Sequence, residues 1–291
     1  MLSILIPIYQ FDVRPLIIDL LLQAGELDIP YELLCFDDGS SEDIRALNRE
    51  LVALPWVIYC EMPQNLGRSR IRNELGLAAK YEWLLFLDCD SRVVTPDFLQ
   101  AYLAAAKYRQ VVVGKRVYAP APPSEQAFFR WYYGRQREEK PASERNRAPY
   151  HAFCSAHFLV PKSVFAEVRF DPSLEQYGHE DTLFGFDLQR RGIPVLHIDA
   201  PLEHIDLEPA DEFIEKSKRA VENLAQLARR HPRLETRLLH LHQRLRRWRL
   251  GWAPALLYRL FHRSMESNFR SKRPNLRLFD LYKLGYLGLI S

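Results

Sequence analysis

The stretch from Met1 to Asp90 confines the chain to a narrow set of folds. Four short apolar runs, Ser3–Ile8, Tyr31–Phe36, Trp56–Glu61 and Trp83–Leu87, read as strands. Segments of helical period separate them. Val13–Ala24 carries Leu16, Leu20 and Leu21 and stops before Gly25, Ile44, Leu47 and Leu51 recur after Ser41, and Leu66–Lys80 reads as a third helix. Ser41 stands where an N-cap is expected. Strand and helix alternating at this spacing require right-handed crossovers. The expectation is a three-layer α/β/α fold with a mainly parallel central sheet.

In such a sheet, ligands bind beyond the carboxyl ends of the strands. Tyr9 follows the first strand, Asp38 the second, Asn65–Asn73 the third and Asp88-Cys89-Asp90 the fourth. Two carboxylates one residue apart on a rigid strand end suit Mg²⁺ or Mn²⁺ shared with substrate phosphates. They suit a plain strand-ending turn as well. Arg68 and Arg72 are four residues apart and share a helix face near its N-terminus, a setting for a diphosphate. The plainer alternative is a solvated basic face paired with Glu74. No GxGxxG or GxxxxGK[ST] pattern is present, so neither a dinucleotide fold nor a P-loop is indicated.

Regularity lapses after this. Tyr118–Pro123 reads as a stiff connector, Phe128–Tyr133 as an aromatic cluster, and Glu138–Pro149 as a polar, mobile loop. Phe158–Val160 and Val195–Ile198 read as further strands, with a helix over Glu180–Arg191 between them. Acids at the start of that helix, Glu180 and Asp181, suit its dipole whatever else they do. From Asp211 onward the pattern is helical, broken by Pro232, Pro254 and Pro274.

Charge divides the chain more sharply than its net +3 suggests. From Arg229 to the end there are 15 lysines and arginines against three acids, Glu235, Glu266 and Asp280. The tail therefore carries +12 and the remainder −9. Leu238, Leu241, Leu245 and Trp248 recur at intervals of three and four among those arginines, which describes an amphipathic basic helix. An anionic membrane surface met by residues 229–291, packing on the body or a second subunit, and nucleic acid compete as readings. No nucleic-acid motif accompanies the charge, and no such partner is expected. Four unpaired cysteines, Cys35, Cys60, Cys89 and Cys154, read as reduced thiols. The N-terminus lacks signal-peptide features, and no apolar run approaches the roughly 20 residues that span a bilayer. A cytoplasmic protein, peripheral on the inner face of the cell membrane, is the resulting expectation.

Five motifs then agree in order and spacing. Ser3-Ile-Leu-Ile-Pro-Ile-Tyr9, Phe36-Asp-Asp-Gly-Ser-Ser41, Asn65-Leu-Gly-Arg-Ser-Arg-Ile-Arg-Asn73, Leu87-Asp-Cys-Asp90 and Gly178-His-Glu-Asp181 resemble the family 2 glycosyltransferases of the GT-A fold. The resemblance runs from Met1 to about Leu227. It implies an inverting, metal-dependent transfer of sugar from a nucleotide-diphosphate donor, most often a UDP-sugar, to a glycan or lipid-linked acceptor in polysaccharide or envelope glycan synthesis. By the same resemblance Pro7 and Tyr9 line the nucleobase and ribose pocket, Asp38 accepts a hydrogen bond from the base, and Arg72, with Arg68, holds the nucleotide. Asp88 and Asp90 form the metal motif, with Asp90 the direct ligand and Asp88 also touching the nucleotide. Asp181 is the catalytic base and Glu180 its neighbour near the acceptor. His204 completes the metal site, and a histidine ligand favours Mn²⁺ over Mg²⁺. His197 is expected to pack within its strand.

The sequence departs from the family at Phe153-Cys-Ser-Ala-His157, where relatives often carry a Thr-Asn-Asn run. Ser155 and His157 become candidates for contacting donor sugar or acceptor, together with His179 and the aromatic Trp131 and Tyr150. Ordinary packing is the rival reading for the aromatic residues. The implied organisation is a glycosyltransferase domain over 1–210, with a nucleotide-sugar half over 1–117 and an acceptor half over 118–210, and a helical extension over 211–291. The competing function is a non-catalytic nucleotide-sugar-binding or scaffold protein that docks on membranes by its tail.

Overall fold

The computed structural model describes residues 1–174 and 178–291. Its contacts divide the chain into two units. The first holds Met1–Tyr118, the segment 138–174 and Glu180–Asp206. The second holds Ala119–Arg137, Gly178 and His179, and Leu207–Ser291. The expected boundary at 210 thus differs from this division in one main respect: Ala119–Arg137 belongs with the tail.

The first unit opens with β1 (Leu2–Ile8), α1 (Arg14–Gly25), β2 (Tyr31–Asp37), α2 (Glu42–Asn48), β3 (Val57–Glu61), α3 (Arg68–Ala78) and β4 (Trp83–Leu87). There follow β5 (Ser91–Val93), α4 (Phe98–Ala105) and β6 (Val111–Val117). In the second unit comes α5 (Phe128–Tyr133). The first unit resumes with α6 (Ala142–Arg145), β7 (His157–Pro161), α7 (Lys162–Glu167), α8 (Glu180–Arg190) and β8 (Val195–His204). The strands form one sheet in the order β3-β2-β1-β4-β7-β6-β8-β5. Ladders β1–β2, β1–β4, β2–β3 and β6–β8 are parallel, while β7 and β5 run antiparallel to their neighbours.

Strand residues alternate between faces with period two. Leu2, Ile4, Ile6 and Ile8 of β1, Leu33 and Cys35 of β2, and Leu85 and Leu87 of β4 join one apolar layer with Leu16, Ile17 and Leu20 of α1 and Phe98 of α4. Leu5, Leu34, Phe36, Leu84 and Phe86 face the other layer, with Ile71 and Leu75 of α3, Phe165 of α7 and Phe184 of α8. A sheet buried on both faces with helices over each is the three-layer arrangement the alternating sequence predicts.

Three details of the first unit depart from the sequence reading. Ser41 precedes α2 but forms no side-chain cap; its hydroxyl donates to Gln10 Oε1 instead. The segment read as a mobile loop over Glu138–Pro149 contains α6, and Arg145 is buried there. Its guanidinium donates to the carbonyls of Val113, Gly114 and Ile198 and meets His197 Nδ1. The strand read as Val195–Ile198 continues through Pro201 to His204. Pro201 sits one residue before the β5 ladder begins at Leu202, so its missing N–H costs that ladder nothing.

The second unit adds α9 (Ala210–Arg230), α10 (Arg237–Arg247), α11 (Trp252–Phe269) and α12 (Leu276–Ile290). Pro254 does not break the helical run as expected. It lies in the first turn of α11, where the N–H it lacks has no helical partner anyway. Phe129 of α5, Phe213 of α9, Phe269 of α11 and Phe279 and Tyr282 of α12 form an aromatic core. Phe129 and Phe269 stack with ring centroids 5.2 Å apart. The aromatic cluster at 128–133 therefore supplies packing through Phe129. Among the described residues, no helix is long and apolar enough to cross a membrane.

Candidate active site

The site lies in the first unit at the carboxyl ends of β1, β2 and β4. β2 ends in Asp37, fully buried, whose Oδ1 accepts from the N–H groups of Gly39 and Ser40. Gly39 takes φ +84°, and a Cβ there would come within 2.9 Å of the Asn65 nitrogen, so this turn needs glycine. Asp38 is buried, and both of its oxygens are engaged: Oδ1 accepts from Leu66 N–H at 2.6 Å and Oδ2 from Gly67 N–H at 3.0 Å. Burial raises the Asp38 pKa above its ordinary value, against those two hydrogen bonds. This carboxylate pins the loop that starts α3. Pro7 sits near the end of β1, and Tyr9 just beyond it is exposed.

α3 begins at Arg68 and presents Arg72 one turn later. Arg72 is buried, with Nη2 2.5 Å from Asp88 Oδ1 and its guanidinium 5.5 Å from the Phe170 ring centroid. The other Asp88 oxygen faces Arg116 Nη2 at 3.5 Å. Asp88 is therefore braced by two arginines. Asp90 is held differently. Its Oδ2 lies 3.4 Å from His204 Nδ1, while its Oδ1 is buried and has no hydrogen-bond partner among the described residues. Burial would raise the Asp90 pKa, but His204 and the charges of Arg116 and Arg68 outweigh it and hold the carboxyl well below the usual range. His204 ends β8 directly opposite Ser91 of β5, which follows Asp90 in the chain.

α8 starts with the remaining two acids. Glu180 is buried, with Oε1 3.5 Å from Arg68 Nη1. Asp181 is half-buried, and its Oδ1 accepts from Thr182 N–H at 2.7 Å. Burial and the neighbouring Glu180 charge push the Asp181 pKa up to about 6, despite Arg116 and Arg72.

Arg116 was not singled out in the sequence. It stands on β6, mostly buried, and reaches Glu138 Oε2 at 3.4 Å as well as Asp88. Its charge acts on Asp90 and Asp181 too. Tyr118 donates its hydroxyl to the same Glu138 oxygen and packs edge-on to His204, with centroids 6.0 Å apart. The available signal was the apolar run Val111–Val113 continuing into Lys115-Arg116, a strand that ends in charge.

The candidates for sugar contact separate. Ser155 is buried and Tyr150 half-buried, packed against the core layer around Phe153. His157 is buried, with Nδ1 2.7 Å from the Tyr102 hydroxyl, and burial pushes its pKa down to about 3. Its ring also lies against Phe98, at 5.9 Å between centroids, so it is packed into the fold. His197, as expected, is packed, between Arg145 and the Pro149 carbonyl. Trp131 and His179 belong to the second unit. There, Trp131 Nε1 donates to Ala119 O at 2.8 Å, and His179 takes φ 70°, directly after Gly178 at φ 94°.

The donor set fits a divalent cation in one respect. Asp90 Oδ1 and His204 Nδ1, on neighbouring side chains, have no hydrogen-bond partner among the described residues. Among the described residues, no group of three or more such side chains closes into a complete metal site. One carboxylate and one imidazole leave most coordination positions to a substrate, which suits a cation shared with phosphates.

The sequence model of Glycosyl transferase family 2 matches residues 3–168. Chondroitin synthase of Escherichia coli is 26% identical over 245 residues, which cover 72% of this chain and 35% of that protein. The chain thus spans about a third of that relative. Among solved structures, the mannosyltransferase PcManGT of Pyrobaculum calidifontis, in complex with GDP-Man and Mn²⁺, superposes with a TM-score of 0.57 at 15% identity, over 78% of this chain and 64% of that one. S. aureus TarS superposes at 0.54 and 16% identity, over 98% of this chain and 54% of that one. Its 1–349 fragment with UDP-GlcNAc gives 0.51 at 16% identity, over 76% of this chain and 66% of that one. At these identities the likeness is one of fold.

Proposed function

Because the chain belongs to glycosyl transferase family 2, we propose that it is a glycosyltransferase that moves a sugar with inversion, from a nucleoside diphosphate donor to a hydroxyl of a glycan or lipid-linked acceptor. UDP is the proposed carrier, and polysaccharide or envelope glycan synthesis the proposed setting. The observation that carries this reading is Asp181: a half-buried carboxylate that burial and the Glu180 charge push up to about 6, with the charges of Arg116 and Arg72 acting on it. A base working near neutral pH needs such a value.

In this reading Asp181 takes the proton of the acceptor hydroxyl as its oxygen attacks the anomeric carbon. The bond from that carbon to the diphosphate breaks on the opposite side, and its electron pair leaves with the phosphate. No covalent enzyme intermediate is required. Arg116, Arg72 and Arg68 supply positive charge where the diphosphate becomes more negative. Tyr9 and Pro7 offer the nucleobase and ribose a surface, and Asp38 fixes the 65–67 loop beside them. Glu180, Ser155 and Tyr150 face acceptor and donor sugar, and His157 positions the β7 end from behind. Asp90 and His204 would hold Mn²⁺ in preference to Mg²⁺, with Asp88 braced by its arginines alongside. A cation bound there supplies Lewis-acid stabilisation of the departing diphosphate.

Release of nucleoside diphosphate from a panel of UDP- and GDP-sugars tests the reading, with Mn²⁺ present and after chelation. One donor should turn over, at least roughly tenfold faster with Mn²⁺. A chelated enzyme as fast as the Mn²⁺ form would remove the metal from the account. No turnover of any donor, with candidate acceptors supplied, would overturn the donor assignment.

A further inference from the structure

Helix α11 is apolar on two opposite faces. One face buries Pro254, Tyr258, Met265 and Phe269 within the second unit. On the other, Trp252, Leu256 and Leu260 recur every four residues and stand exposed, Trp252 at 63% and Leu260 at 64%, with Leu257 flanking them. A surface helix normally turns polar residues to water, and one that is apolar all round is buried by something. Just before it, Trp248 and Leu250 at the end of α10 are exposed as well. Scattered exposed apolar residues need no explanation, but a contiguous run on one helix and its neighbouring turn does.

The charge around this run selects the occupant. From Thr236 to Met265 there are seven arginines and no acidic residue. Among the described residues, Arg237, Arg244, Arg246, Arg247, Arg249, Arg259 and Arg263 form no ion pair; Arg244 instead lies 4.5 Å from the Trp248 ring centroid. A second copy of the chain across a two-fold axis would set these arginines against themselves, since such an interface repeats one patch on both sides. An acidic lipid surface offers the opposite sign together with an apolar interior. Tryptophans at the head of the apolar stripe suit the headgroup level, and arginine stems can lie along lipid while their heads reach phosphate.

We infer that α10 and α11 dock the chain on an anionic lipid surface, with Trp252, Leu256 and Leu260 entering the headgroup boundary and the arginines bound to lipid phosphate. The surface lies within the second unit and does not depend on the glycosyl-transfer reading.

Co-sedimentation of the full chain with vesicles tests it, using phosphatidylcholine alone against phosphatidylcholine with about one-third phosphatidylglycerol. Wild type should partition at least about tenfold more strongly onto the anionic vesicles. Trp252→Ser/Leu256→Ser/Leu260→Ser should lose that binding, and Arg246→Gln/Arg247→Gln/Arg249→Gln should weaken it by about tenfold or more. These residues are exposed, so both variants should keep wild-type unfolding curves and donor turnover, which separates this test from that of the enzyme. Absent wild-type binding to anionic vesicles overturns the proposal, as does undiminished binding by the serine variant. Light scattering that shows a dimer in wild type and a monomer in the serine variant assigns the face to a second copy, and that also overturns it.

Discussion

Arg72 and Arg116 in the first unit and Arg246 and Arg259 in the second bring the same charge to opposite settings. The first two are largely buried and answered: Arg72 by Asp88, and Arg116 by Asp88 and Glu138. The second two stand in a stretch from Thr236 to Met265 that contains no acid. Buried ion pairs are costly to desolvate and are weak evidence of stability in themselves. Their use at the sheet ends is to fix where a substrate's negative charge will sit. Exposed, unanswered arginines have no such fixed partner, and their charge remains available to an outside surface.

The largest expected effect comes from unpairing an answered charge. Arg72→Met should lower unfolding stability by about 3 kcal/mol in denaturant titration, because Asp88 is left half-compensated beside a buried site. A loss under about 1 kcal/mol would show that solvent, not Arg72, satisfies Asp88. Arg116→Met should reduce kcat/KM about 10- to 100-fold by weakening charge stabilisation at the diphosphate. Binding of the donor with unchanged kcat/KM would take Arg116 out of the transfer step.

Asp181→Asn should act in the other direction on stability. The folded pKa of Asp181, about 6, lies above its ordinary 3.8. Its contribution to stability is therefore fully present below the ordinary value and is lost as pH rises through about 6. The asparagine variant should be about 1–2 kcal/mol more stable than wild type above neutral pH, with the gain fading in acid. A gain that persists unchanged in acid would assign it to something other than this ionisation. The smallest effect belongs to an unanswered arginine: Arg246→Gln should stay within about 0.5 kcal/mol of wild type, and a larger loss would mean that the tail charge is structural after all.

Much of the first unit was legible because each element there follows one local rule. β1, β2, β3 and β4 are apolar runs of strand length, each closed by a polar turn, and the acids that close β2 and β4 are the ones at the site. Glu180 and Asp181 were legible from their motif, and their helix from its period. What escaped was set by tertiary contact. Arg145 sits in a polar stretch with nothing to mark it, and its burial depends on carbonyls and an imidazole supplied by β6 and β8. The strand leading to His204 was read only as far as Ile198, because its continuation is held by ladders to β5 and β6 and not by a local pattern. Arg116 escaped because β6 changes from apolar to charged midway, which period-based reading takes for the end of order. The tail's charge was plain in the sequence, whereas the division of its apolar residues between the aromatic core and the exposed face of α11 required the fold.

The central claim is that Asp181, tuned near neutrality, removes the acceptor proton. Nucleoside diphosphate release should be compared between wild type and Asp181→Asn across pH, with a donor that wild type turns over. The account predicts a wild-type rate that rises through about pH 6 and a variant slower by on the order of a thousandfold at neutral pH. A variant within a few-fold of wild type, with the same pH profile, would contradict it.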